Sequence, residues 1–209
     1  MTGPFLLSAQ FALFLQNTLS RPDRYAYQLY EKIESFRNVI PEISPTSPAN
    51  TPSAFISNAD DNCKMGVTNK RIDLYYQNNL KGVEPTFYKF KEIARTIIHE
   101  INLECIRIGI ITTTIYPDIQ ANEFLCKRIC IEGALDIQLS YNMKFDFNNK
   151  EFNKVYRLYP GLINIANKEY KGLIIERDIN NIPTEQTLSR DSIEQIFDKF
   201  FNPKADPED

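Results

Sequence analysis

The sequence predicts a single α+β domain built on a mostly antiparallel, twisted sheet, with about four helices packed largely on one face. Three observations carry that expectation. Leu135, Ile137, Leu139, Tyr141, Met143, Phe145 and Phe147 alternate without a break against Asp136, Gln138, Ser140, Asn142, Lys144 and Asp146, the period of a half-buried antiparallel strand. Two other segments, around residues 25–36 and 87–101, repeat their apolar residues every three or four positions, the period of an amphipathic helix. The 209-residue chain is 43% hydrophobic and 24% charged, enough for one core and at most two small ones.

The first element reads as a strand. Phe5, Leu7, Ala9, Phe11, Leu13 and Leu15 fall on one face, while Ser8 and Gln10 interrupt the apolar run that a secretory signal needs. No Lys or Arg precedes Arg21, which also argues against a signal peptide. Ser20 stands where a helix cap is wanted, with Pro22 in the first turn and Asp23 three residues after the cap. Tyr25, Leu29, Ile33 and Phe36 supply the buried stripe of this helix. Pro41–Ser53 holds four prolines and reads as an extended loop.

Short strands are expected between residues 54 and 77, with Met65 and Val67 on one and Ile72, Leu74 and Tyr76 on the next. Thr68–Arg71 is their turn, and Asp60-Asp61-Asn62 is a turn before a strand. Pro85 opens the longer helix, whose stripe is Phe87, Phe90, Ile93, Ala94, Ile97, Ile98 and Ile101. The β-branched run Glu104–Ile115 is a strand by propensity. Tyr116-Pro117-Asp118 ends it and leads into a helix reaching Cys130, which Gly133 breaks. After the alternating segment, Asn148-Asn149 turns into strands near 152–159, 162–167 and 170–178. The closing helix runs from its cap Ser189 to Phe201, with Leu188 and Ile193 as a hydrophobic staple and Ile196, Phe197 and Phe200 completing its buried face. Residues 1–202 form the expected domain, with 1–132 and 133–202 as alternative sub-lobes, and 203–209 are expected to be a disordered tail.

Composition excludes several chemistries. One histidine removes multi-histidine metal sites, and seven glycines leave little room for Gly-rich phosphate loops, so no cofactor or metal is expected. His99 falls toward the polar side of its helix and reads as a surface or helix-end residue. The scattered Cys63, Cys105, Cys126 and Cys130 suit a reducing, cytoplasmic compartment. Cys126 and Cys130 would share a helical face, where the simplest expectation is two small buried hydrophobes. No apolar stretch approaches a membrane span.

Two function classes follow. The first is a non-catalytic, cytoplasmic interaction or accessory component, whose partner is another protein or a second copy of the chain. It rests on 11 tyrosines with no tryptophan, since tyrosine combines contact area with a polar tip. Tyr25, Tyr27 and Tyr30 cover more than one side of the first helix. Tyr156, Arg157 and Tyr159, a cation among aromatics on a candidate exposed strand, would instead offer a weak binding surface for single-stranded nucleic acid. The second class is a metal-dependent nuclease or phosphoesterase, for which Asp118, Glu132, Asp136, Glu169 and Lys171 supply carboxylates and a lysine. Nucleic-acid binding is disfavoured by a net charge of −3.

In element order the chain resembles a sporadically distributed prokaryotic family of uncharacterised α+β proteins. The likeness rests on the first strand with its tyrosine-bearing helix, on Arg107-Ile-Gly109 in the strand after the long middle helix, and on Leu173–Asp178 leading to a closing helix with Ile196-Phe197. Such families travel with mobile or defence genes. The resemblance implies a partner-dependent role and assigns no site residue.

Overall fold

A computed structural model describes residues 4–201 apart from 38, 45–52, 61, 79–85, 118, 131–136, 166–167 and 184–185. In chain order the elements are β1 (Phe5–Leu15), α1 (Pro22–Lys32), β2 (Glu42–Ile43), β3 (Ala54–Asn58), β4 (Cys63–Val67), β5 (Arg71–Gln77), α2 (Thr86–Glu100), β6 (Cys105–Tyr116), α3 (Ala121–Ile129), β7 (Leu139–Phe147), β8 (Lys150–Ile165), β9 (Lys168–Asn181) and α4 (Arg190–Phe200). The strands form one twisted antiparallel sheet in the order β2-β3-β4-β5-β1-β6-β9-β8-β7, so segments on both sides of residue 133 share it. No helix among the described residues is long and apolar enough to cross a membrane.

The alternation read from the sequence decides which face is covered. Ala9, Phe11 and Leu13 stand level with Tyr76, Leu74 and Ile72 of β5 and with Thr112, Ile110 and Ile108 of β6, and all are buried. Over this layer Phe197 of α4 meets Phe11 edge-on at 5.0 Å between ring centroids, and Phe90 of α2 lies 5.1 Å from Phe201. Tyr25, Leu29 and Ile33 bring the first helix into the same core. α3 packs over Tyr156, Leu158, Leu173 and Ile175. Leu173 and Ile175 share strand parity with the core residue Ile179, so all four helices lie on one face of the sheet.

Two buried polar residues of β9 pin this arrangement. Beyond the last β6–β9 pair, the side chain of Asn181 takes over the ladder, accepting from the Ile108 N–H at 2.7 Å and donating to the Ile106 carbonyl at 3.1 Å. Arg177 donates to the Phe200 carbonyl at 2.9 Å, satisfying one of the open carbonyls at the end of α4.

Several local expectations are corrected. Arg21, not Ser20, occupies the cap position of α1 and makes no side-chain cap bond, while Asp23 binds the Arg21 guanidinium at 2.6 and 2.9 Å. α1 stops at Lys32, and a 3₁₀ turn at Glu34–Phe36 keeps Phe36 in the core. In β1 a bulge between Leu6 and Ser8 turns Phe5 to the helix-free face, where it joins Ile115 and Ile174. The strands expected at 152–159 and 162–167 are one strand, β8. Pro160 is tolerated in it because β7 ends opposite Leu158, so among the described residues no strand pairs with the edge toward which its missing N–H would point. Cys126 is half-buried and Cys130 exposed, so the two do not share a buried face; Cys63 and Cys105 are the buried cysteines. Cys130 ends α3 in a left-handed conformation, φ 54°, which turns it out of the helical face.

Other expectations hold: Thr68–Arg71 turns β4 into β5, Ser189 caps α4 by accepting from the Ser192 N–H, and Asn148-Asn149, at φ 50° and 58°, forms a two-residue hairpin turn. Pro85, the Phe87 side chain, Gly133, the prolines at 45–52 and the tail 203–209 lie outside the described residues.

Gly172 marks a close crossing. A Cβ there would lie 2.2 Å from the Tyr116 carbonyl oxygen and 2.7 Å from the Pro117 Cα, both backbone, whereas one at Gly109 would meet only ordinary contacts at 3.8 and 3.9 Å. Gly172→Ala is expected to destabilise by about 1–3 kcal/mol. Gly109→Ala should leave stability unchanged or slightly raised. Urea unfolding of the two variants tests this; equal midpoints would contradict the crossing geometry.

Candidate interaction surfaces

The structure separates the tyrosines named from the sequence. Tyr25 is buried, and burial pushes its hydroxyl up to about 12. Tyr27 is exposed and meets the half-buried Tyr30 edge-on at 6.3 Å. Tyr156 is buried on the helix side, stacked on Tyr141 at 5.0 Å. Arg157 and Tyr159 point to the opposite face because they differ from Tyr156 in strand parity, and Arg157 is ion-paired to Glu176. These residues therefore do not compose one patch.

Of the carboxylate set, Asp118, Glu132 and Asp136 lie outside the described residues. Glu169 and Lys171 pair with each other at 3.6 Å on an exposed part of β9. Among the described residues no three His, Cys, Asp or Glu side chains are placed to hold a metal ion. His99 is exposed near the end of α2, 3.7 Å from Glu194. A cleft of about 580 Å³ at the start of α3, lined by Gln120, Asn122, Glu123 and Lys171 among others, brings no nucleophile and base together.

The first surface of note is β7, the last strand of the sheet. Its apolar side chains face the helix side, where Phe145 and Phe147 pack against Phe200 of α4 and Leu139 against the α3 cluster. Between the two helices no described residue covers the strand centre fully, and Tyr141 and Met143 are 42% and 48% exposed. The strict alternation expected to mark a covered strand instead marks one covered only at its ends. The two-residue turn makes Phe147 and Lys150 a hydrogen-bonded pair, so the odd residues of β7 bond to β8. The even ones, Ser140, Asn142, Lys144 and Asp146, direct their backbone groups to the open edge.

The second surface is the helix-free face, which sequence reading did not single out. One row across it is small: Gly66, Asp73, Ala12, Gly109 and Asn180 stand side by side on β4, β5, β1, β6 and β9. The next row is Arg71, Phe14 and Arg107; on the other side run Lys64, Tyr75, Gln10, Ile111 and Asp178. Asp73 is fully buried, accepting from Gln10 Nε2 at 2.9 Å and from Arg71 Nε at 2.6 Å. The Arg71 and Arg107 guanidinium carbons lie 5.5 and 4.9 Å from the Phe14 ring centroid. Arg107 donates to Asn180 Oδ1 at 2.9 Å, and Asn180 donates to Asp178 at 3.1 Å. Lys64 lies 3.7 Å over the Phe55 ring. The signal in the sequence was parity: Phe14 and Asp73 each occupy the polar phase of an otherwise alternating strand.

No protein-family model and no curated protein matches the chain.

Burial pushes the Asp73 carboxyl above its ordinary value, against the opposing pull of Arg71. Because the folded state binds the proton more tightly, this group's contribution to stability is complete below the unfolded value, about 3.9, and is lost as pH rises through the folded one. Asp73→Asn removes that dependence. Wild-type stability in urea is therefore expected to fall relative to Asp73→Asn as pH is raised from acid to neutral; a constant or opposite difference would refute the raised value.

Proposed function

We propose that the protein is a non-catalytic interaction component that assembles by strand addition along β7, and that the strand it takes is β7 of a second copy. The observation that carries this reading is the exposed pair Tyr141 and Met143 on a strand whose outer backbone groups are open. A free edge of this kind is a template for strand pairing unless proline, a bulge, edge charges or a covering segment blocks it, and the charges of β7, Lys144 and Asp146, stand opposite Asn142 and Ser140 in a self-pair. β7 contains no proline, and its pairing to β8 runs without a register shift.

The sequence of β7 suits pairing with itself. An antiparallel pair centred on Met143 sets Met143 against its counterpart, Tyr141 against Phe145, and Leu139 against Phe147 on the helix side. Ser140 meets Asp146 and Asn142 meets Lys144 on the other, so no like charges stand directly opposite. The even residues, with outward backbone groups, become the hydrogen-bonded pairs. Cytoplasmic location, through the scattered cysteines, and an accessory role in a mobile-element or defence system, through the family resemblance, extend this reading. The nuclease or phosphoesterase alternative is weakened, since no metal-holding group is found among the described residues.

Asn142→Pro tests the proposal, because it removes an N–H on the open side and leaves the β7–β8 ladder intact. Wild-type protein is expected to be dimeric by light scattering coupled to size exclusion. The variant should keep its circular dichroism while its dimer dissociation constant rises at least tenfold, about 1.4 kcal/mol. A monomeric wild type, or a dimer indifferent to Asn142→Pro and to Met143→Lys, would overturn it.

A further inference from the structure

We infer that the helix-free face from β3 to β6 binds single-stranded nucleic acid, with Arg71 and Arg107 on either side of Phe14 holding a phosphate and the Lys64–Phe55 pair engaging the strand further along. The acidic net charge argued against such a ligand for the whole chain, but that charge is not spread evenly over the surface. Three cations, Lys64, Arg71 and Arg107, occupy this half of the face among the half-exposed aromatics Phe14, Phe55 and Tyr75. Cations interleaved with aromatic rings on an open surface are the means by which proteins hold single strands without reading sequence.

The cations differ in how far they are satisfied. Arg71 is fixed by Asp73, a positioning residue whose buried carboxylate holds the guanidinium beside Phe14. Arg107 is held only by a neutral amide, no carboxylate among the described residues lies within ion-pairing distance, and its Nε is buried without a hydrogen-bond partner. Lys64 is likewise without an ion pair among the described residues. An anion approaching over Phe14 would meet two guanidinium groups, a pairing suited to phosphate oxygens. The row of Gly66, Ala12 and Gly109 beside them is buried under the flanking side chains, so an approaching strand meets Arg71, Phe14 and Arg107 rather than the sheet backbone. Four strand spacings of about 4.8 Å separate β3 from β6, roughly 19 Å of surface. Asp178 stands at the far side of Arg107 and disfavours a path over β9, so the strand is directed from Arg107 toward Lys64.

The test is fluorescence anisotropy with fluorescein-labelled oligothymidylate and oligouridylate, run on the full chain and repeated in the Asn142→Pro background, so that failure here and failure of self-association are read separately. Binding is expected to weaken with salt. The double variant Arg107→Gln with Lys64→Gln should lose at least tenfold in affinity and reduce the slope of log affinity against log salt by about 1.4, two single-strand phosphate contacts. Lys64→Gln alone, at an exposed side chain, should give a smaller loss in the same direction without any change in circular dichroism. A duplex of matched sequence should bind more weakly, and inorganic phosphate should compete only at high concentration. Absence of single-strand binding at low salt, binding unchanged in the double variant, or capture of labelled oligoglutamate in place of the oligonucleotide would each overturn the inference, the last in favour of an acidic protein ligand.

Discussion

Every other part of this molecule is arranged around the pairing of β1 on both of its edges. β1 lies between β5 and β6, so it joins the strand run β2–β5 to the run β6–β9. Its helix-side residues Phe11 and Leu13 sit under α4 and in the common core, and its helix-free residues Gln10, Ala12 and Phe14 lie at the centre of the open face. A single strand thus sets the registers of both halves. The bulge between Leu6 and Ser8 lets it do so while still placing Phe5 in a separate apolar cluster on the other side.

Placing all four helices on one face leaves the opposite face to be stabilised without a second layer. Its solution is mixed. At one end Phe5, Ile115 and Ile174 bury one another with help from Tyr159 and Tyr170. Across the middle, large side chains from flanking rows close over small ones, and a carboxylate is buried by its own partners. Burying a charge is costly unless it is paired and hydrogen-bonded, and Asp73 has both an arginine and an amide as donors. The raised proton affinity says that the pairing does not fully offset desolvation.

Much of the fold was legible because strand and helix periods differ: the strands at 63–67 and 71–77 and the stripes of α2 and α4 follow from spacing, and the strand at 105–116 from its β-branched run. What was not legible has identifiable causes. A bulge adds one residue and reverses facing, which no alternation count at Phe5 or Leu7 can reveal. Pro160 looks like a strand breaker until the length of the neighbouring strand is known. The alternation of β7 is real, yet position in the sheet, which is a tertiary fact, decides whether its apolar face is covered. The helix-free site combines residues from β4, β5, β1 and β6 that are far apart in sequence, so Arg71, Asp73 and Arg107 read individually as ordinary surface charges. Conversely, Tyr25 and Tyr156 were conspicuous as tyrosines but are core residues.

The central position of β1 also orders events during synthesis. Phe11 pairs with Leu74 and Ile110, so its two neighbours are translated roughly sixty and roughly a hundred residues later, separations that slow folding of sheet proteins. Until β5 emerges, an alternating strand of Phe, Leu and Ala waits with both edges open. The nascent chain must keep that strand solvated or shielded, and the ribosome-bound stage is therefore where this fold is most exposed to misassembly.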